Sequence, residues 1–326
     1  MLLRVFKGYQ ASILLLIPLI GLLLWLNVFF DTTIYTRQDY LYMPLSKMIF
    51  NLVGYNSFFS KLIAIILVLL NSLLLVRMNI AYNFIRARTY LPAIMYIVLL
   101  SHIKQIQILN PALMASVFII LAINKVLQTF KKERLAIQIM DAALLLSIAS
   151  LFYFPSLFLI TYLWIGLIIL RPFRWREWAF SILGTIIPYF VYACIAYMKG
   201  MKMTIPIMKI INIPYIIKWH AGENIFSLLF FGYASLLIIL ASLQMLKLFG
   251  TKKVHSRKFF IFFLWLFILT AALYFLISST TIEIFYINAI SLSFLFAHYF
   301  VNLKSGWISE LMFILFIGIV VLNKFF

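Results

Sequence analysis

The chain has 326 residues, of which 66% are hydrophobic and 11% charged. Soluble proteins average about 45 to 50% apolar and about 25% charged, so this composition excludes a soluble domain and predicts an integral membrane protein. A net charge of +19 would suit nucleic acid if it clustered on a soluble face. The basic residues instead lie in short connectors between apolar runs, so the expected partners are membrane lipids and no nucleic acid.

The first ten residues carry Arg4 and Lys7 ahead of an uncharged run of 20 residues, 11–30. That length spans a bilayer, and no small-residue cleavage site follows it, so an uncleaved first span is expected. Further apolar runs cover 58–76, 89–103, 111–124, 135–154, 156–170, 178–198, 225–246, 259–278, 284–301 and 308–326. The expected fold is all-α, a polytopic transmembrane bundle of about 11 segments forming one integral membrane domain over residues 1–326. The runs 89–103 and 111–124 fall short of the roughly 20 residues a span needs, so residues 89–124 either span or form a re-entrant pair. Pro92, Pro111 and Pro155 stand at run starts, where a proline loses no needed hydrogen bond. Pro18 and Pro188 lie inside runs, where kinks are expected.

The centre of this pattern is the stretch 151–189, an apolar hairpin turning at Phe154-Pro155 and followed by Leu170-Arg171-Pro172-Phe173-Arg174-Trp175-Arg176-Glu177-Trp178. Three arginines and two tryptophans between apolar runs suit a cytoplasmic interface, where Arg meets anionic lipid and Trp the headgroup level. With the N-terminus inside, the inner connectors hold 18 of the 27 Lys and Arg, which the positive-inside rule favours. The expected location is the inner membrane, with the N-terminus cytoplasmic and the C-terminus outside.

Two outer connectors are long, 31–57 and 199–224, and long connectors are where function concentrates. The first opens with Asp31, Arg37, Gln38, Asp39 and Tyr40. From Met43 to Val53 it turns amphipathic, with Leu45, Met48, Ile49 and Leu52 on one helical face, as in a helix lying along the membrane. The second carries Lys199, Lys202, Lys209 and Lys218 and ends at His220 and Glu223. Four lysines on the side where basic residues are scarce fit either an interfacial segment whose side chains snorkel to headgroups or a rim for a lipid phosphate.

No close His, Cys or carboxylate spacing suggests a metal, no Gly-rich loop suggests a nucleotide, and no cofactor is expected. Cys194 is the one cysteine, so no intrachain disulfide can form. The eight carboxylates are few enough to weigh singly. Glu133, Glu177 and Glu310 are expected to pair with neighbouring basic residues, and Asp141 with Arg134 or Arg171. Glu283 suits a helix start, where the helix dipole favours a negative charge. Asp31 and Asp39 follow the first span at the outer surface, where a carboxylate can take a proton from an acceptor hydroxyl. The alternative is a helix cap for Asp31 and a solvated ion pair with Arg37 for Asp39. Asn288, Ser291, His298 and Asn302 share one side of a helix and either bond between helices or line a hydrated path.

Arg88-Thr89-Tyr90-Leu91-Pro92-Ala93, Leu109-Asn110-Pro111-Ala112-Leu113, Ser150-Leu151-Phe152-Tyr153-Phe154-Pro155 and the Arg-Pro-Phe with Trp-Arg-Glu-Trp pattern resemble an uncharacterised family of bacterial polytopic inner-membrane proteins. That resemblance covers roughly a third of the chain and implies no activity. In layout the chain also resembles membrane glycosyltransferases that use polyprenyl-phosphate sugars, with an acid soon after the first span and an amphipathic outer helix next. Here the two acids stand eight residues apart rather than together. The resemblance implies glycosyl transfer at the outer face, with Asp39 or Asp31 catalytic and a polyprenyl-phosphate carrier as substrate. Arg37, Tyr40, Lys199, Lys202, Lys209, Lys218 and His220 would bind that substrate. The other functions the sequence allows are a structural or assembly subunit among other envelope proteins and a transporter of a lipid-linked substrate.

Overall fold

A computed structural model describes residues 6, 8, 11–30, 43–55, 57–82, 84–85, 89–130, 136–200, 225–248, 254–277, 280–303 and 306–325. Among these the chain forms helices and short 3-10 turns, with no strand. In order the helices are α1 (Ala11–Phe30), α2 (Pro44–Val53), α3 (Phe58–Tyr82), α4 (Leu91–Ser101), α5 (Pro111–Gln128) and α6 (Ala136–Phe152). They continue with α7 (Leu159–Leu170), α8 (Trp175–Met198), α9 (Ile225–Leu248), α10 (Val254–Leu276), α11 (Phe285–Asn302) and α12 (Gly306–Phe325).

Eight of these, α1, α3, α5 and α8 through α12, are long and apolar enough to cross a membrane. The all-helical, multi-pass expectation therefore holds. Helices α4, α6 and α7 are shorter, at 11, 17 and 12 residues. At 1.5 Å per residue α4 reaches only about 16 Å, roughly half of a hydrocarbon core about 30 Å thick.

Local chemistry explains the helix ends. Asn110 caps α5, its side-chain oxygen accepting from the Leu113 N–H at 2.8 Å, and Pro111 opens the first turn. Pro92 opens α4 in the same way, and Pro155 lies in the first turn of the 3-10 segment Phe154–Phe158. Helices α1 and α8 run on through Pro18 and Pro188 as single helices.

The buried apolar side chains form one large connected cluster with α4 and α11 at its centre. Every residue of α4 is buried. The membrane-length window of α11 is 83% buried against 17% for α8, so α11 is interior and α8 peripheral. Helices α3, α5, α9 and α10 surround the α4–α11 pair, and α6 packs between α5 and α8. Leu183, Ile186 and Phe190 of α8 are exposed, as lipid-facing residues should be.

Polar groups inside the bundle are bonded across helices, which lipid makes necessary. Asn71 of α3 donates to Ser116 Oγ at 2.7 Å and to the Tyr96 hydroxyl at 3.2 Å. Trp25 of α1 donates to Ser101 of α4 at 3.1 Å. Along α6 and α8, Ser147 donates to the Thr185 carbonyl and Ser150 pairs with the Tyr189 hydroxyl, both at 2.7 Å. Gly184 lets these two helices meet, since a Cβ there would stand 2.6 Å from the Met140 carbonyl oxygen.

The two ends of the bundle differ in character. At the Arg171 end, Arg171 Nη1 meets Glu177 Oε1 at 2.7 Å, with both side chains about 5% exposed or less. Glu177 thus pairs with a neighbouring base as expected. Asp141 pairs with Lys125 at 2.9 Å, a lysine that α5 brings alongside α6; Arg134, one of the bases expected for it, lies outside the described residues, and Arg171 is paired with Glu177. Trp178 packs on Trp164 at 5.7 Å, and Trp164 donates to Ser181. Phe173 and Trp175 project from the surface. The Arg-Pro-Phe and Trp-Arg-Glu-Trp pattern is therefore a structural joint between α7 and α8.

Two patterns read from the sequence turn out differently. The stripe on α11 directs polar groups along its own helix: Ser291 donates to the Asn288 carbonyl and Asn302 to the His298 carbonyl, while His298 packs edge-on to Phe260. On α2 the expected apolar face divides: Leu45 and Ile49 pack against the core, where Ser46 and Phe50 are buried, while Met48 and Leu52 are exposed.

Candidate functional site

The end of the bundle opposite Arg171 gathers the loop 102–110, the turn 153–158 between α6 and α7, and the turn 280–284 before α11. Loop 102–110 lies beyond a half-length helix, so its backbone must be satisfied inside the protein. Gln107 donates to the Ser101 carbonyl at 2.6 Å, and Asn110 donates to the Ile106 and Ile108 carbonyls at 3.1 Å. Tyr286 of α11 donates to the Ile106 carbonyl at 2.6 Å. Asn323, near the end of α12, donates to the His102 carbonyl at 2.8 Å, and the His102 ring stacks on Phe230 with centroids 3.7 Å apart. This loop is fixed by groups from distant helices.

The other two turns close their backbones and leave side chains over. Tyr153 N–H donates to the Ala149 carbonyl and Ser156 N–H to the Tyr153 carbonyl. Thr280 caps the end of α10 through the Ile277 carbonyl at 2.8 Å, and Ile284 N–H closes on the Thr281 carbonyl. The hydroxyls of Tyr153, Ser156 and Thr281 are buried.

Glu283 lies two residues beyond Thr281, in the 3-10 turn Ile282–Ile284 that leads into α11. Burial, and then the Glu283 carboxylate, push the Tyr153 phenol well above its ordinary value, so this hydroxyl stays protonated. The Thr281 side chain stands beside both the Tyr153 hydroxyl and the Glu283 carboxyl, within hydrogen-bonding reach of either. The arrangement offers hydroxyl donors and acceptors beside one carboxylate.

Helix α2 ties the first long connector to this end. Met43 packs against Phe154 and Leu157, and α2 lies against α6. Phe154 is the immediate neighbour of Tyr153. Asp31, Arg37, Asp39 and Tyr40 precede Met43 and lie outside the described residues. Lys202, Lys209, Lys218 and His220 also lie outside them. Lys199 is the one sequence-selected site residue described; it caps α8 and donates its N–H to the Ile195 carbonyl at 3.1 Å.

No group of three or more His, Cys, Asp or Glu residues able to hold a metal occurs among the described residues. A surface groove along α12, lined by Trp307, Glu310, Leu311, Ile314 and Leu315, comes from one helix and gathers no convergent polar set. The polar groups at the Tyr153 end make the stronger candidate. No known protein family, no curated relative and no solved structure matches the chain.

Proposed function

We propose that this chain is a membrane-embedded glycosyltransferase that takes its sugar from a polyprenyl-phosphate carrier at the extracytoplasmic face of the bacterial inner membrane. The observation that supports this reading is the seating of Met43 and α2, the described part of the first long connector, on the turn beside Tyr153 and on α6. A lipid carrier keeps its tail in hydrocarbon while its phosphate meets the surface, and that end offers such a boundary. The basic distribution supports placing the Tyr153 end outside.

In this mechanism Asp39, or Asp31, takes the proton of the acceptor hydroxyl as its oxygen bonds to the anomeric carbon. The bond from that carbon to the phosphate oxygen breaks, and its electron pair leaves with the polyprenyl phosphate. Arg37, Lys199, Lys202, Lys209 and Lys218 hold the phosphate, while Tyr40 and His220 meet the sugar or phosphate. Loss of a general base typically costs about 10²- to 10⁴-fold in rate, whereas loss of an exposed ion pair costs about 0 to 1 kcal/mol of stability. Asp39→Asn and Asp31→Asn should therefore abolish complementation of a deletion strain at unchanged protein abundance. Full complementation by the double variant overturns the mechanism.

A non-enzymatic subunit of an envelope complex is the second reading. It is favoured by the interior, where α4 and α11 pack side chain against side chain.

A further inference from the structure

The joint between α7 and α8 divides its three arginines between two roles. Arg171 is tied to Glu177 at 2.7 Å with both side chains buried, so its charge is answered inside the protein. Residues 172–176 are all exposed, with Phe173 at 76% and Trp175 at 74%. Arg174 and Arg176 flank Trp175, and Glu177, the one acid of the stretch, is turned inward to Arg171. The tip therefore presents two guanidinium groups and two large rings. It is held from below, since the Phe173 ring meets Trp178 at 5.8 Å and Trp178 packs on Trp164 at 5.7 Å.

Beyond the tip the outer surface turns aliphatic. Ile168 of α7 is exposed, as are Ile182 and Leu183 of the peripheral α8. Ile182 follows Trp175 by seven residues, about 10 Å along the helix axis. Over that distance the surface passes from guanidinium to aromatic ring to bare aliphatic side chain. A phospholipid passes from phosphate through glycerol ester to acyl chain across an interfacial layer roughly 5 to 8 Å thick. The two sequences of chemistry run in step, and the sign of the charge then chooses among lipids. Two arginines favour an anionic phosphodiester, whose oxygens match the guanidinium fork, over a zwitterionic headgroup that also carries an ammonium. An acidic soluble protein would answer the arginines and leave the aliphatic positions beside them unaccounted for.

We propose that the α7–α8 joint binds one anionic phospholipid, its phosphate held by Arg174 and Arg176, its glycerol level beside Phe173 and Trp175, and its acyl chains along the exposed aliphatic side of α7 and α8. The site stands apart from the transferase reading and uses none of its residues.

The test places the full chain in nanodiscs of phosphatidylcholine with a rising fraction of phosphatidylglycerol and counts the lipids it retains by native mass spectrometry. Wild type should keep one phosphatidylglycerol in preference to phosphatidylcholine. Arg174→Gln and Arg176→Gln should each lower that preference about fivefold, and the double variant about 25-fold, because each removes one cation from an anionic surface. Both side chains are exposed, so the variants should melt within about 2 °C of wild type. Lys247→Gln, which removes an exposed base of α9, should change the preference by less than about twofold. A benzophenone side chain placed at Phe173 should crosslink to phospholipid in whole cells. Wild type without the preference, or a double variant that keeps it, would overturn the site. An effect of Lys247→Gln as large as that of the double variant would replace the site with a diffuse field and overturn it as well. Crosslinks to another protein or to a second copy of the chain, in place of lipid, would reassign the patch as a protein interface.

Discussion

Removing Arg171 should destabilise the chain far more than its place in a connector suggests. The guanidinium and the Glu177 carboxylate meet at 2.7 Å, about 5% exposed or less on each side. At an effective dielectric constant of about 20, charges about 4 Å apart attract by roughly 4 kcal/mol, and desolvation consumes most of that gain. Taking away one partner strands the other, which typically costs about 3 to 5 kcal/mol. Two helix ends soften this loss. Arg171 caps the C-terminus of α7 and Glu177 lies in the first turn of α8, where the dipoles favour these charges by about 0.3 to 1 kcal/mol each. Arg171→Met and Glu177→Met should each lose about 3 kcal/mol in reversible unfolding from detergent micelles followed by tryptophan fluorescence. The double variant should lose less than either single one, because it leaves no buried charge. Additive losses, or single variants within 0.5 kcal/mol of wild type, roughly the scatter of surface substitutions, would show that water reaches the pair.

Gly184 and Gly232 offer a matched contrast. A Cβ at 184 meets the Met140 backbone oxygen at 2.6 Å, which cannot rotate away, whereas a Cβ at 232 meets nothing. Gly184→Ala should lose about 1 to 3 kcal/mol and Gly232→Ala should gain up to about 1 kcal/mol in the same unfolding assay, so equal effects would refute the close crossing of α6 and α8. Orientation is open to cysteine labelling once the exposed Cys194 is replaced by serine. Cysteines placed at Arg174 and Lys209 should react from the cytoplasmic and outer faces respectively, and labelling of both from one side would refute the topology.

The sequence carried the solvent and the helices well, for one physical reason. A lipid-facing helix must be apolar along its whole length, so α1 stands out as the uncharged run 11–30. Where the bundle itself supplies partners, the apolar signal ends before the helix does. Helix α3 continues past Arg77 to Tyr82, with Asn79 buried and bonded to the Thr89 carbonyl. Helix α8 starts at Trp175 rather than Trp178, since its first turn holds the ion-paired Glu177. The Tyr153, Thr281 and Glu283 group left no local signature. Each residue looks ordinary in its own turn, and only tertiary packing joins two segments so far apart. Tyr153 did lie within one of the family-like motifs, and its neighbours there, Phe154 and Pro155, serve the fold. Asp141 illustrates the same limit, because its partner Lys125 comes from the neighbouring helix α5, a pairing that sequence spacing did not suggest.

The half-length α4 has a consequence for how the chain is made. A helix of 11 residues, followed by irregular backbone at membrane depth, cannot rest in lipid alone, because its last carbonyls and the loop after it would go unbonded. Its principal cover is α11, and Tyr286 at the start of α11 supplies the bond to Ile106. That residue leaves the ribosome 180 positions after the carbonyl it satisfies. The first half of the protein must therefore wait for its interior, held during synthesis by water, an insertase or temporary partners. Chains that stop short of α11 should remain targets for membrane proteases, however well their first spans insert.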